Sequence, residues 1–184
     1  MNPIEWTTKQ WSQNFIADYK PYNFVDGEGV RCSLYVSGCP FACKGCYNKA
    51  AQSFSYGTLY TKEVEEQIIE DLSADYCQGL TLLGGEPFLN TDVTIPLSKR
   101  VKNTFGDTKD IWSWSGYTYE EILASSQDKR ELLDTIDVLV DGRFVLDQFD
   151  LGLDFRGSKN QRIIDVQSSL KKKKVVLWKQ GGYK

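Results

Sequence analysis

Three cysteines close together in the chain have the residue type and spacing of a metal centre. Cys39, Cys43 and Cys46 follow the pattern C-x3-C-x2-C, and Gly38 and Pro40 shape the loop that carries them. A structural zinc site takes four protein ligands, whereas a four-iron cluster held by three cysteines leaves one iron open to an added ligand. The pattern therefore predicts a 4Fe-4S cluster with Cys39, Cys43 and Cys46 as its metal ligands.

The alternative is that Cys32 or Cys77 supplies a fourth ligand. That arrangement would be a structural zinc site or a closed electron-transfer cluster. Cys32 lies inside a predicted strand and Cys77 lies near a helix end, where small buried hydrophobic residues are typical. The sequence favours the open cluster, and this alternative stays open.

Composition narrows the chemistry further. The 184 residues contain no histidine, which excludes Ser-His-Asp and Cys-His catalysis and every zinc site that needs imidazole. The length fits a single domain, residues 1–184. A net charge of −3 offers no positive field for nucleic acid, and no apolar run is long enough to span a membrane. With no secretory signal at its start, the chain is expected in the cytoplasm.

Strands alternate with helices in the hydrophobic pattern, and this indicates an α/β fold with a mainly parallel sheet. Thr61 caps one predicted helix, and Thr118 with Glu121 forms a capping box for another. Because parallel strands end at one edge, the loops after them should meet there. The predicted strands are Cys32–Val36, Leu80–Leu83, Ile111–Trp114 and Ile136–Val140.

The second of these strands ends in Gly84-Gly85-Glu86-Pro87. Two glycines allow a ligand to approach the backbone closely, and Pro87 suits the start of a helix. Alone, the motif would indicate only a tight turn. At the same edge as the cysteine loop, Glu86 and the neighbouring backbone are suited to hold the ammonium group of an amino-acid ligand.

The cysteine pattern followed by Gly-Gly-Glu-Pro resembles the radical S-adenosylmethionine superfamily. Further segments narrow the resemblance to the glycyl-radical-enzyme activases of anaerobic ribonucleotide reductase, over about residues 22–166. Residues 1–21, an expected amino-terminal arm packed on the core, and the tail 167–184 fall outside it. The lysine run within that tail indicates a solvated surface, with docking of an acidic partner as the alternative. The segments are Tyr22–Gly29, Cys46–Asn48, Ile111–Tyr117, Val140–Arg143 and Phe155–Arg162.

The resemblance implies two cofactors, a 4Fe-4S cluster and S-adenosyl-L-methionine. In that family the amino and carboxylate groups of S-adenosylmethionine bind the open iron, reductive cleavage gives a 5'-deoxyadenosyl radical, and this radical takes hydrogen from a glycine of the reductase. The implied partners are the anaerobic ribonucleoside-triphosphate reductase and a low-potential electron donor such as flavodoxin. A homodimer is also expected from the family. No side chain is predicted as a catalytic acid or base, because cofactors carry such chemistry.

The resemblance also implies which residues contact S-adenosylmethionine. Gly45, Cys46 and Tyr47 should lie against it, and Gly84–Pro87 should face its methionine moiety. Four polar residues at strand ends are further candidates. Ser113, Ser115 and Asp141 could bind the ribose, and Arg143 could bind the carboxylate. Each of them could equally be a polar residue that only ends a strand.

The length of the chain bears on the substrate. A complete eight-unit β/α barrel needs about 250 residues, so we expect a partial, incomplete parallel β/α barrel of the radical S-adenosylmethionine type. Its open side would admit a loop of another protein, and Arg156–Ser158 are candidates for that contact or for a merely structural loop. The alternatives are an activase of another glycyl-radical enzyme, a radical enzyme acting on a small molecule, and a non-enzymatic iron-sulfur or zinc module.

Overall fold

The computed structural model describes residues 2–181, which form a mixed α/β fold around one seven-stranded sheet. The strand order across the sheet is β3-β1-β2-β4-β5-β6-β7. The strands are β1 (Phe15–Asn23), β2 (Val30–Val36), β3 (Thr58–Leu59), β4 (Cys77–Gly84), β5 (Asp110–Trp114), β6 (Val138–Asp141) and β7 (Arg162–Asp165).

The four central strands β2, β4, β5 and β6 run parallel, while β1, β3 and β7 are antiparallel to their neighbours. In the centre, Cys32 lies opposite Leu80, which in turn lies opposite Ile111. The sheet is open, so its two outer strands do not meet. The α/β prediction is confirmed, and the incomplete barrel stays a prediction.

Helices cover the sheet between its strands. Thr61 accepts a hydrogen bond from the Val64 N–H (3.4 Å), and the predicted Thr118–Glu121 capping box is present. The helical stretch after Thr118 divides into two helices, α4 (Tyr119–Leu123) and α5 (Gln127–Thr135). Within residues 2–181, no helix is long and apolar enough to cross a membrane. The helices are α1 (Thr8–Trp11), α2 (Lys62–Leu72), α3 (Thr91–Phe105), α4 (Tyr119–Leu123), α5 (Gln127–Thr135) and α6 (Val166–Lys172).

The main hydrophobic core lies between the sheet and its helices, and a smaller cluster covers the other face. Because side chains alternate along a strand, Ile111 belongs to the main core while Trp112 belongs to the smaller cluster. Trp112 packs there against Trp114, Phe155 and Trp178.

The amino-terminal segment differs from the predicted arm. Its second half is β1, which pairs antiparallel with β2 and so belongs to the sheet itself. Only the first part packs on the core from outside, through Trp6 and Trp11. Residue 1 of the predicted arm lies outside the described residues. The segment could not be predicted as a strand from its own residues, because its partner β2 supplies the pairing.

The predicted tail also takes part in the fold. Residues of the tail continue α6, and the chain then returns to β7, where the Trp178 N–H donates to the Ile163 carbonyl (2.9 Å). The lysine run Lys171–Lys174 is exposed at the end of α6, as expected of a solvated surface. Residues 182–184 of the predicted tail lie outside the described residues.

Candidate functional site

The cysteine loop begins where β2 ends and is held there by backbone hydrogen bonds. The Gly38 and Cys39 N–H groups donate to the carbonyls of Ala51 and Gln52, at 2.7 and 3.0 Å. Gly38 has a φ of +102°, and a Cβ at this position would lie 1.9 Å from the Phe54 ring. Only glycine fits this position, so the residue before Cys39 is fixed both by conformation and by space.

The three thiols line a cavity of about 630 Å³ at the carboxyl edge of the sheet. Cys39, Cys43 and Cys46 are all half-buried, and the Cys46 N–H closes a turn onto the Cys43 carbonyl (3.2 Å). Burial raises the pKa of the Cys39 and Cys43 thiols. Metal binding at this loop must therefore displace thiol protons, which makes it dependent on pH.

A single metal ion and an iron-sulfur cluster place different demands on the same donors. Across residues 2–181, no three Cys, Asp or Glu side chains form a group that could hold one metal ion. A lone zinc needs its donors about 2.0–2.3 Å from a single point, whereas an iron-sulfur cluster takes each thiolate on a different iron. The three cysteines of the loop could each bind a different iron of a cluster. Cys32 and Cys77 do not line the cavity, so neither is placed to act as a fourth ligand.

The Gly84–Pro87 loop packs backbone to backbone against the start of the cysteine loop. The Gly85 N–H donates to the Val36 carbonyl (2.7 Å), and the Glu86 N–H donates to the Gly38 carbonyl (2.8 Å). A Cβ at Gly85 would lie 2.6 Å from the Gly38 oxygen. The second glycine of the motif is therefore needed because two backbones meet there, a reason that the sequence did not indicate.

Glu86 joins this loop to the loop after β5. Its carboxylate is fully buried and accepts hydrogen bonds from the Phe88 N–H (3.1 Å), the Ser115 hydroxyl (2.9 Å) and the Gly116 N–H (2.8 Å). Burial raises the pKa of Glu86 to about 7. Three protein donors already hold this carboxylate, so Glu86 positions two loops of the cavity, a role that the sequence analysis missed.

Most of the predicted site residues come together at the cavity. The lining includes both glycines, the cysteine loop and one of the polar strand ends: Cys39, Cys43, Gly45, Cys46, Tyr47, Gly84, Gly85, Glu86 and Ser115.

Pro87, Ser113, Asp141 and Arg143 are not brought to this lining. Pro87 and Ser113 are buried. Each of the other two has a protein partner that sequence spacing could not reveal, and their roles as cofactor ligands stay predictions.

Asp141 accepts hydrogen bonds from the Tyr119 N–H of α4 (2.8 Å) and from Arg162 Nε (3.0 Å). Arg162 is its partner residue across the β6–β7 pair. Arg143 stacks over the Phe41 ring at 4.7 Å and lies 3.7 Å from the Glu121 carboxylate.

The segment that follows β6 forms a wall of the cavity that sequence reasoning largely missed. The signals for it in the sequence were the family segments at its two ends, Val140–Arg143 and Phe155–Arg162. Gln161 shapes this wall: its side-chain oxygen accepts from the Gly157 N–H (2.9 Å), and its amide donates to the Gly142 carbonyl (3.0 Å). The unpredicted lining residues include Phe41, Asn48, Gln52, Leu83, Trp114, Phe144, Leu146, Phe149, Asp150, Leu151, Leu153 and Gln161.

Arg156 is the only cationic side chain lining the cavity within residues 2–181. Its guanidinium makes one long hydrogen bond, from Nη1 to the Gln161 carbonyl (3.4 Å), and its Nε is buried without a hydrogen-bond partner. The preceding Phe155 has a φ of +53°, and its backbone carbonyl accepts a hydrogen bond from Trp114 Nε1 (3.0 Å). A fixed backbone thus presents a guanidinium with unused donors beside the cavity.

Large apolar side chains stand exposed among the lining residues. Tyr47 is 99% exposed and Leu151 is 88% exposed, while Phe149 and Leu146 are about half exposed. Exposed apolar groups clustered at the opening of a cavity are typical of a surface that another molecule covers.

Comparisons with known proteins agree with this geometry. A family model described as a 4Fe-4S single cluster domain matches residues 25–164, which supports an iron-sulfur cofactor. The chain is 48% identical over 149 residues to the anaerobic ribonucleoside-triphosphate reductase-activating protein of Haemophilus influenzae, covering 79% of this chain and 94% of that protein. It is 42% identical to the protein of that name from Escherichia coli K12, over 78% and 93%. The protein of that name from phage T4 is 39% identical, over 78% and 88%.

Proposed function

The chain belongs to the family of anaerobic ribonucleoside-triphosphate reductase-activating proteins, and from this premise we propose that it activates such a reductase. The proposed reaction is reductive cleavage of S-adenosylmethionine at a 4Fe-4S cluster, followed by removal of a hydrogen atom from a glycine of the reductase. One observation carries this proposal. Three thiols of one loop line a cavity whose adjoining wall is the Gly84–Glu86 backbone.

The chain's own residues hold and orient the cofactors. Cys39, Cys43 and Cys46 would ligate the cluster through their thiolates, and the Gly84–Gly85 backbone would face the amino-acid end of S-adenosylmethionine. When bound, the cluster supplies a one-electron reduction of the sulfonium, which yields methionine and a 5'-deoxyadenosyl radical. The buried Glu86 holds the two loops on either side of the cavity in fixed relation.

The carboxylate of S-adenosylmethionine needs a positively charged partner in this cavity. Arg143, for which the sequence suggested that role, is occupied by Phe41 and Glu121. Arg156 lines the cavity and has unused donors. We therefore assign the carboxylate contact to Arg156 in this proposal.

The exposed apolar side chains at the cavity support a protein substrate. A radical enzyme for a small molecule needs a closed site that excludes water, whereas an activase must admit a loop of its partner. Tyr47 and Leu151, the most exposed of these side chains, are suited to contact such a loop. The flavodoxin-like electron donor, the homodimer and the incomplete barrel stay predictions.

The proposal is tested on anaerobically reconstituted protein with a chemical reductant and S-adenosylmethionine. We expect 5'-deoxyadenosine in chromatography and, when the reductase is added, a glycyl-radical signal in electron paramagnetic resonance. Cys43→Ala should abolish both, because it removes a cluster ligand. Cys77→Ala, a matched change outside the cavity, should retain both.

Two outcomes would contradict the proposal at different points. Anaerobically prepared protein that contains zinc and no iron would show that the site is not an iron-sulfur cluster. A glycyl radical on another partner, with none on the reductase, would keep the chemistry and refute the assigned substrate.

A further inference from the structure

The two cysteines outside the cavity contact each other in the core. Cys32 belongs to β2 and Cys77 is the first residue of β4, the neighbouring parallel strand. Their sulfur atoms are 3.6 Å apart, and the residues are 0% and 2% exposed. Neither lies in the cysteine loop or lines the cavity. The chain therefore contains a second thiol site, distinct from the proposed cluster.

The surroundings make the two thiols unequal. The hydrogen bond between them and burial raise the pKa of Cys32, whereas the same hydrogen bond lowers the pKa of Cys77. The Lys109 ammonium contributes to the lowering, and it lies beside Cys77, donating to the carbonyl of that residue (2.6 Å). Thiolate is the form that reacts with oxidants. Because the Lys109 ammonium lies beside Cys77, we take Cys77 as the thiol that reacts first, with Cys32 placed to resolve its oxidised form.

We propose that Cys32 and Cys77 form a redox-sensitive pair, which a small peroxide converts to a disulfide. The Cys77 sulfur attacks one peroxide oxygen, the O–O bond breaks, and a sulfenic acid and water form. The Cys32 sulfur then attacks the sulfenic sulfur, the S–O bond breaks, and a second water leaves. Two thiols are oxidised and one peroxide is reduced to two waters. The sulfur atoms need to approach by roughly 1.6 Å to reach a bond length of about 2.05 Å.

This site goes beyond the proposed function and does not depend on it. A Cys32–Cys77 bond would join β2 to β4, the strands whose carboxyl ends carry the cysteine loop and the Gly84–Pro87 loop. It would also close a long segment of the chain, which constrains the unfolded state. Because both thiols are buried, oxidation should require local opening and proceed slowly.

The test uses the full chain with Cys39, Cys43 and Cys46 changed to Ser, so that only the pair remains. After treatment with hydrogen peroxide and denaturation, alkylation should find two thiols in the untreated sample and none in the oxidised one. Tryptic mapping should yield a peptide cross-linked through Cys32 and Cys77, and reduction should restore both thiols. The wild-type chain should give the same cross-link.

The matched controls are Cys77→Ala and Cys32→Ala in that background, which should give no intramolecular cross-link. Oxidation should also raise the urea concentration at the unfolding midpoint of the parent variant, and reduction should reverse the rise. The proposal is overturned if both thiols stay free, if they are oxidised to sulfinic or sulfonic acid without a cross-link, or if the only cross-links in the wild type join the loop cysteines.

Discussion

At the scale of single residues, the cavity depends on groups whose partners are far away in sequence. Glu86 is a good example, because two of the three donors to its carboxylate, Ser115 and Gly116, lie 29 and 30 residues further along the chain. A buried carboxylate with three donors is well satisfied, and removal of its partners would leave it uncompensated. Glu86 acts by joining two loops of the cavity. The sequence therefore marked Glu86 as a residue of the site but did not reveal this positioning role.

Arg156 and Arg143 provide a direct test at this scale. Arg156→Gln should weaken binding of S-adenosylmethionine to the reconstituted protein about tenfold or more, because a charge-assisted hydrogen bond contributes roughly 1.5–3 kcal/mol. Arg143→Gln should have little effect, since this side chain stacks on Phe41. Equilibrium dialysis with labelled S-adenosylmethionine measures both variants. The assignment fails if Arg143→Gln causes the larger loss.

At the scale of elements, local pattern was sufficient for the central strands and most helices. Thr61 and the Thr118–Glu121 pair marked helix starts because caps are local chemistry. The terminal segments were not predictable in this way. β1 and β7 are antiparallel additions whose strand character comes from pairing with β2 and β6.

The candidate site likewise has parts that local sequence could predict and parts that depend on distant contacts. Its cysteine and glycine loops were predicted because their residue types are rare and closely spaced. Gly142 and Gln161, which shape the missed wall, are held by hydrogen bonds that spacing does not reveal. Arg143 was weighed equally as a carboxylate ligand and as a strand-ending residue, and its contacts with the Phe41 ring and the Glu121 carboxylate are equally hidden from sequence spacing.

The contact between the two loops gives a prediction at this scale. Gly85→Ala should place a methyl group 2.6 Å from the Gly38 oxygen and push the cysteine loop away. We expect a loss of about 1–3 kcal/mol in unfolding free energy, as for overpacked cores, and less iron per chain after reconstitution. Gly152→Ala is the control, because its Cβ would meet only the Asp150 side chain at 3.3 Å. Normal iron content in Gly85→Ala would show that the loop tolerates the displacement.

At the scale of the whole molecule, the open sheet leaves its carboxyl edge accessible, and the segment after β6 covers only part of it. This segment brings Arg156 and three exposed apolar side chains, Leu146, Phe149 and Leu151, to the cavity. Cofactor binding and partner binding would thus share one wall. Substitutions in this wall can separate cofactor binding from partner binding, because different side chains are proposed to serve each of them.

Leu151 and Phe149 should serve the partner rather than the cofactor. A double change to Ser should lower the yield of glycyl radical at limiting reductase about fivefold or more, since a buried apolar contact at an interface contributes roughly 1 kcal/mol or more. Formation of 5'-deoxyadenosine without the reductase should stay near the wild-type rate. Leu59→Ser is the control, because Leu59 on β3 is about as exposed (54%) as Phe149 (51%) and lies outside the cavity. If the double variant loses both activities together, these side chains support the cofactor cavity, and the docking surface lies elsewhere.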